Sequence, residues 1–292
     1  MKLVTFTHQG STRIGVARGD AVVDLRAAAP DLPSEMVAFL EAGDAALEAA
    51  RAADAPTIPL ADVHLEAPVL RPPKILAIGV NYADHVNEAK EGGMKIPEHP
   101  VVFNKQSTSA HGPTDPFHLP RASKVLDYEG ELGVVIGKRC RHVPKERASE
   151  VIAGYTVVND VTVRDWQLRT PTFTMGKSFD THCPMGPWIV TPDEFGDPHS
   201  HDLKTWVNGE LRQSSNTKHL IFDCFTIVEH LSTAFTLEPG DVIPTGTPSG
   251  VGIAMKPPKL LVAGDVVRVA IDGIGEIENA VVDEPAETTR IG

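Results

Sequence analysis

The chain has 292 residues, enough to bury a substantial core as one large domain or as one domain with a small appendage. Its formal net charge of −12, from 27 basic and 39 acidic residues, argues against nucleic acid or an anionic membrane as a partner, because both need a basic surface. No apolar stretch approaches a membrane span, no signal-peptide pattern opens the chain, and the three cysteines lack metal-type spacing. We therefore expect a globular, cytoplasmic protein with reduced thiols.

Residues 1–66 are predicted to form a small N-terminal α/β domain. Short strand patterns over 2–7, 13–17 and 21–24 are separated by glycine turns. An alanine-rich run over 35–53 predicts one helix with Ser34 as its N-cap. Prolines then indicate an extended linker, after which we place a larger domain over 67–292. Because residues 1–66 hold no cluster of catalytic residue types, we expect this domain to support the larger one structurally or to form a contact between subunits.

A helix is predicted over residues 81–91, after a short strand at 74–78 and before Gly92-Gly93. His85 and Glu88 are three residues apart and would share one face of that helix. A carboxylate beside an imidazole orients the ring and stabilises its protonated form, which suits a general base that activates water. An exposed surface pair and a pair of metal ligands fit the same spacing.

The most informative stretch runs over residues 127–167. A strand pattern at 128–136 places Glu129 and Glu131 on one face, roughly 6–7 Å apart at their backbones. A second strand pattern, over 155–159, ends at Asp160. Two glutamates and an aspartate can supply three oxygen ligands to a hard divalent cation. A solvated sheet face is the other reading of the two glutamates.

Three further polar residues follow Asp160. Arg164 and Gln167 lie four and seven positions beyond Asp160, so a helix there would align all three along one stripe. Arg164 could hold a carboxylate bidentately, and Gln167 could orient a water or a keto oxygen. Lys177 lies among apolar and small residues, where a desolvated lysine acts as an electrostatic clamp or a Schiff-base nucleophile. Ordinary surface positions remain the alternative for all three.

The loop over residues 245–252 is rich in glycine but is neither a P-loop nor a nucleophile elbow. Its glycines would let backbone amides approach an anion, and Thr247 offers a hydroxyl; a plain turn is the alternative. A core helix is predicted over 219–235, and Asn208-Gly209 predicts a hairpin. The remaining patterns predict strands at 188–191, 203–207, 242–244, 260–262, 265–271 and 275–282.

Several of these motifs together resemble the fumarylacetoacetate hydrolase family. They are the Tyr-Glu-Gly-Glu-Leu run at 128–132, the run at 154–167, the loop at 245–252, the segment at 79–88 and Gly176-Lys177-Ser178. The resemblance covers residues 72–285 and implies a β-rich α+β fold, with a catalytic domain built as a mixed-sheet roll or sandwich. It also implies a homodimer.

The resemblance assigns roles by position. It implies that Glu129, Glu131 and Asp160 hold Mg²⁺ or Mn²⁺, and that His85 and Glu88 form a dyad on a mobile lid helix. It implies that Lys177 is a clamp that also handles protons. Substrate oxygens would be held by Arg164, Gln167 and Thr247.

The activity implied is metal-assisted hydrolysis of a carbon–carbon bond in a 1,3-diketo acid such as an acylpyruvate or fumarylpyruvate, through an enolate held at the cation. The dyad favours hydrolysis because it supplies a water-activating base. The same chemistry also resembles 2-oxo acid decarboxylation, isomerisation of 2-hydroxydienoates and dehydration of keto-sugar acids. A non-catalytic, metal-binding regulatory protein is the alternative from another class. The expected partner is a small keto acid, with neither nucleic acid nor membrane.

Overall fold

Alternating and β-branched runs joined by glycine turns give this chain a mainly β structure. The structure, a computed structural model, describes residues 1–83 and 96–287. Within these ranges the strands are β1 Lys2–His8, β2 Ser11–Arg18, β3 Ala21–Asp24, β4 Thr57–Pro59, β5 His64–Leu65, β6 Ile75–Gly79, β7 Val101–Lys105, β8 Ala110–His111, β9 Phe117–Leu119, β10 Leu126–Asp127, β11 Gly130–Ile136, β12 Ile152–Asn159, β13 Thr162–Val163, β14 Cys183–Val190, β15 Asp202–Val207, β16 Glu210–Asn216, β17 Val242–Pro244, β18 Val266–Ile271 and β19 Gly275–Asp283.

Short helices connect these strands. They are α1 Leu25–Ala28, α2 Met36–Glu41, α3 Asp44–Ala52, α4 Arg164–Gln167, α5 Thr174–Lys177, α6 Pro192–Phe195 and α7 Cys224–Ala234. The strand-rich α+β class expected from the sequence is confirmed. The three cysteines are unpaired, as expected. Over the described ranges, none of the helices has the length and apolarity that a membrane crossing needs.

A large mixed sheet forms the centre of the molecule. Its strands run in the order β4-β3-β2-β1-β14-β12-β11-β17-β6-β7, with β5 beside β1 and β8 beside β14. Neighbours are antiparallel except β17 with β6 and β14 with β8. β1 pairs directly with β14, so residues 1–66 contribute strands to the same sheet as the later part of the chain. A domain boundary at residue 66 stays a prediction.

A smaller sheet of five strands, in the order β16-β15-β18-β19-β9, packs against the large one. From β11, Leu132, Val134 and Ile136 face the core that also holds residues of β15, β18 and α7. Val135, which points the other way, packs in the core beneath α2 and α3. Every residue of β11 is therefore buried, which explains its almost continuous apolar sequence.

Two predicted helices have different bounds in the structure. The run over 35–53 forms two helices, α2 and α3, because Gly43 takes a φ of 74° between them and ends the helical path. The N-cap of α2 is Glu35, whose carboxylate accepts from the Ala38 amide, and not Ser34. α7 begins at Cys224 and not at 219, since Asp223 caps it by accepting from the Thr226 amide.

Strand predictions also meet two exceptions. The strand predicted over 260–262 is reduced to an isolated bridge between Leu261 and Leu126. Glu129, predicted inside a strand, instead lies in the short link between β10 and β11. The remaining strand predictions agree with the structure to within a few residues, except that β14 extends further toward the N-terminus than predicted.

A glycine allows α5 to lie directly against α4. A β-carbon on Gly176 would lie 2.1 Å from the Gln167 amide nitrogen and 2.6 Å from the Val163 carbonyl oxygen. Both neighbours are backbone atoms, which cannot rotate away. Since Lys177 follows directly, this close approach also determines where its side chain enters the interior.

We expect Gly176→Ala to lower the free energy of unfolding by about 1–3 kcal/mol, the usual range for overpacking a filled interior. Gly79→Ala is the matched control, because a β-carbon there would meet Phe103 and Val101 at an ordinary 3.6 Å. Urea unfolding of the two variants checks the difference. Equal midpoints would show that α5 can shift without cost.

Candidate active site

Three carboxylates meet where β11 begins and β12 ends. Gly130 pairs with Asn159, and the Asp160 amide donates to the Glu129 carbonyl oxygen at 2.8 Å. One carboxylate oxygen from each of Glu129, Glu131 and Asp160 lies within 4.8 Å of the other two. All three side chains are buried, with residue exposures of 6%, 1% and 0%. The structure thus brings together the three residues predicted as metal ligands, and their role as ligands stays a prediction.

Buried cations contact two of these carboxylates. The Lys177 ammonium lies 2.6 Å from Glu129 Oε2 and 2.7 Å from Asp160 Oδ2. The Lys105 ammonium lies 2.6 Å from Asp160 Oδ1, and Arg164 Nη1 lies 2.6 Å from Glu129 Oε1. Glu129 and Asp160 are therefore each held by two positive groups.

Glu131 is different, because its contact within the described residues is one hydrogen bond from the Gly246 amide, at 2.7 Å. Burial, together with the charges of Asp160 and Glu129, raises the pKa of Glu131 well above its ordinary value. A cation placed among the three carboxylates would relieve this cost. Three converging oxygen donors of this kind fit Mg²⁺ or Mn²⁺.

The predicted helical stripe of Asp160, Arg164 and Gln167 is wrong. Residues 162–163 form β13, which pairs with β10 and keeps the chain extended until α4 begins at Arg164. Arg164 still reaches the site through Glu129, and its Nη1 also donates to Gln167 Oε1 at 3.1 Å. The substrate-binding roles of Arg164 and Gln167 stay predictions.

Thr247 lies in the glycine-rich loop beside the start of β11. Its hydroxyl donates to the Gly130 carbonyl oxygen at 3.0 Å and accepts from Gln213 Nε2 at 2.8 Å. In the same loop, the Gly246 amide approaches Glu131, as expected of a loop that brings amides to an anion. The substrate-binding role of Thr247 stays a prediction.

His85 and Glu88 lie outside the described residues. Just before them, Asn81 is fully buried and tied to the site loop: its Nδ2 donates to the Thr245 carbonyl oxygen at 2.7 Å and to the Phe222 carbonyl oxygen at 3.0 Å. The chain at residue 81 is therefore anchored next to the loop that carries Gly246 and Thr247.

The sequence did not single out three buried residues that the structure places here. One is Lys105, at the end of β7, whose ammonium contacts Asp160. The others are Gln213 and Asp127. Gln213 accepts from the Gly130 amide at 3.0 Å and donates to Thr247, while Asp127 forms an ion pair with Arg164. For Asp127 a signal existed, since it lies two residues before Glu129 in an extended run.

A second group of side chains that could hold a metal ion is less suited to do so. His64, Glu66 and Asp115 also lie within 4.8 Å of one another but are partly or largely exposed. His64 Nε2 already lies 3.0 Å from Asp115 Oδ1, and the Thr7 hydroxyl donates to Glu66 at 2.6 Å. Because water competes at such a surface, we take the buried group as the candidate active site.

Comparison with known proteins gives the context of this site. The C-terminal fumarylacetoacetate hydrolase family pattern matches residues 74–282. A mitochondrial oxaloacetate tautomerase of Rattus norvegicus is 44% identical over 290 residues, covering 97% of this chain and 92% of that protein.

Two solved structures are similar over nearly the whole chain. A fumarylacetoacetate hydrolase from psychrophilic Exiguobacterium antarcticum has a TM-score of 0.86 and 41% identity, covering 97% of this chain and 100% of that one. A maleylpyruvate hydrolase from Sphingobium sp. SYK-6, in complex with manganese(II) and pyruvate, has a TM-score of 0.78 and 36% identity, covering 98% and 100%. These matches extend the resemblance from the motifs to nearly the whole length of the chain. The chain therefore belongs to the fumarylacetoacetate hydrolase family of enzymes.

Proposed function

We propose that this protein is a Mg²⁺- or Mn²⁺-dependent enzyme that interconverts the keto and enol forms of a small 2-oxo diacid of the oxaloacetate class. The observation that carries the proposal is the buried group of Glu129, Glu131 and Asp160, in which Glu131 lacks a directly contacting cation among the described residues. The rat relative, named an oxaloacetate tautomerase, supports the substrate class.

When bound, the divalent cation would supply positive charge that polarises a 2-oxo group and stabilises the enolate. The chain's own residues prepare for it. Lys177 and Lys105 hold the Asp160 carboxylate from two sides, so its direction is set before the cation arrives. Arg164 does the same for Glu129 together with Lys177.

Lys177 is best assigned to an electrostatic role. Burial disfavours its ammonium form, but the carboxylates of Asp160 and Glu129 outweigh burial and raise the pKa of Lys177. A lysine that keeps its proton is a clamp for carboxylates and substrate oxygens rather than a neutral Schiff-base nucleophile.

Proton transfer is assigned to the dyad. In tautomerisation, His85, oriented by Glu88, would take the proton from carbon 3 of the keto acid, and the electron pair would form the double bond of the enol. His85 would then give this proton to the oxygen on carbon 2, which returns the imidazole to its neutral form. Arg164, Gln167 and Thr247 are proposed to hold the substrate's oxygens.

The second candidate is hydrolysis of an acylpyruvate-type 1,3-diketo acid, as expected from the motifs. The maleylpyruvate hydrolase that was solved with manganese and pyruvate favours it. Here His85 would take a proton from the water that attacks the distal carbonyl, and the carbon–carbon bond would break to leave the enolate of pyruvate. Both candidates need the same stabilised enolate, and they differ in whether water is added.

A homodimer and a cytoplasmic location remain part of the proposal. Short strands leave sheet edges that need cover, and two-fold pairing is the commonest way to provide it. The cytoplasmic location is an expectation from the sequence alone. The rat relative, in contrast, is described as mitochondrial.

Removal of one carboxylate tests the metal. We expect Asp160→Asn to weaken Mn²⁺ binding by at least about 100-fold, because loss of an outer partner alone costs about 10–100-fold. Activity should disappear with it. Calorimetric titration of chelator-treated protein measures the affinity, and Asp115→Asn, in the exposed group, is the control with unchanged binding. Full activity after exhaustive chelation would refute the metal role.

A second experiment separates the two reactions and tests the dyad. Oxaloacetate is supplied as its enol and the decay of enol absorbance is followed, while pyruvate release is followed from acylpyruvates. We expect the enol of oxaloacetate to decay faster with the enzyme than without it, and we expect acylpyruvates to release little pyruvate. His85→Ala should slow turnover by roughly 10²–10⁴-fold, the usual contribution of a general base, with Mn²⁺ affinity unchanged.

His8→Ala, on β1, is the matched control. Rapid pyruvate release from an acylpyruvate, without acceleration of enol decay, would establish hydrolysis instead. Unchanged turnover of His85→Ala combined with weaker Mn²⁺ binding would make His85 a ligand.

A further inference from the structure

Asp127 is a fully buried carboxylate to which the proposed reaction gives no role. It ends β10, two residues before Glu129. The ladder between β10 and β13 pairs Asp127 with Thr162 and Leu126 with Val163, so the strand that carries Asp127 runs alongside the segment that leads into Arg164.

Both oxygens of Asp127 are surrounded by donors. Oδ1 accepts from the amides of Tyr128 at 2.9 Å and Gly252 at 2.8 Å. Oδ2 accepts from the Ile253 amide at 3.0 Å and from Arg164 Nε at 2.9 Å, and Arg164 Nη2 lies 2.8 Å away. An asparagine in either orientation would turn its NH₂ group toward donors. The site therefore needs a carboxylate and not merely a polar side chain.

Arg164 links this carboxylate to a predicted metal ligand. Its Nε and Nη2 face Asp127, while Nη1 lies 2.6 Å from Glu129 Oε1. A guanidinium is planar, so the hydrogen bond from Nε to Asp127, with Nη2 at ion-pair distance from the same oxygen, also restricts the direction of Nη1. Lys177 contacts the other oxygen of Glu129. Glu129 is thus oriented from both sides.

The same carboxylate also holds the glycine-rich loop. A β-carbon on Gly252 would lie 2.7 Å from Asp127 Oδ1, so the glycine is what permits this close amide contact. Next to it, the Tyr128 hydroxyl donates to the Gly250 carbonyl oxygen at 2.8 Å. The loop carries Thr247 and Gly246, which contact the start of β11 and Glu131.

We propose that Asp127 is a positioning residue that directs Glu129 toward the cation through Arg164 and fastens the glycine-rich loop to the same point. One buried charge then aligns both sides of the site. The inference rests on the proposed metal-dependent function, because its main consequence is the affinity for the cation.

The direct test is Asp127→Asn with Mn²⁺ titrated by calorimetry. We expect binding to weaken about 10–100-fold, as for other partners that orient a ligand. Asp24→Asn is the matched control: Asp24 is also buried, pairs with Arg13 Nε at 2.8 Å and accepts from the Arg26 amide, but it lies on β3. It should lose stability while Mn²⁺ affinity stays the same. Wild-type affinity in folded Asp127→Asn overturns the proposal.

A double-mutant cycle tests the route through Arg164. If Asp127 acts through Arg164, adding Asp127→Asn to Arg164→Gln should weaken Mn²⁺ binding little beyond Arg164→Gln alone. Full additivity overturns that route. Should Asp127→Asn fail to fold, Arg164→Lys replaces it, since a point charge cannot bridge two carboxylates as the fork does. Unchanged Mn²⁺ affinity in Arg164→Lys would equally overturn the proposal.

A readout without metal separates this inference from the proposed function. Hydrogen exchange of the peptide containing Gly252 and Ile253 should speed up about tenfold or more in Asp127→Asn, because each amide loses a bond to a charged acceptor. Asp24→Asn should leave that peptide unchanged. Absence of Mn²⁺ binding by the wild type would end the metal proposal, whereas unchanged exchange in Asp127→Asn would end the role of Asp127.

Discussion

The arrangement of the candidate active site is governed by the free-energy cost of burying several carboxylates close together. Asp127, Glu129, Glu131 and Asp160 are all nearly inaccessible to water, and their positive neighbours in the described ranges are Arg164, Lys105 and Lys177. An isolated buried carboxylate would be very unfavourable, so each must be matched by donors or cations. With all four carboxylates ionised, the cluster would be negative by one charge, and Glu131 is the carboxylate whose ionised form is least favoured, because its pKa is raised. A divalent cation would more than offset this excess, so the cost of burial is tied to the binding of an ion.

The backbone supplies the order that this arrangement requires. The β11–β12 ladder places Asp160 beside Glu129, the β10–β13 ladder places Asp127 alongside the approach to Arg164, and the contact between α4 and α5 brings Lys177 inward. These three contacts join segments that follow one another along the chain, β10 into β11 and β12 through β13 into α4 and α5. Their convergence constrains Glu129, which, like Asp160, has a positive group on each oxygen.

Local patterns carried much of the prediction. Glu129 and Glu131 could be placed on one face because strand side chains alternate, and Asp160 could be placed at a strand end from the β-branched run before it. Part of what failed depended on distant parts of the chain. Lys105 meets Asp160 across 55 positions of sequence, and nothing near Lys105 indicates that partner. The helical stripe failed because pairing with β10 overrides the helical tendency after Asp160. The long helix over 35–53 failed at Gly43, a breaker visible in the sequence whose effect was underestimated.

The pairing of β1 with β14 has a consequence for any shortened form of the protein. β14 lies inside the large sheet, between β1 and β12, with Lys2 and Leu3 opposite Val190 and Ile189. Without the first 66 residues, this end of β14 would become an open edge of unpaired backbone groups beside apolar side chains. Such an edge can recruit a strand from another molecule. The N-terminal strands therefore cover an edge that could otherwise pair with a sheet of another molecule. Covering this edge requires no catalytic residue in residues 1–66.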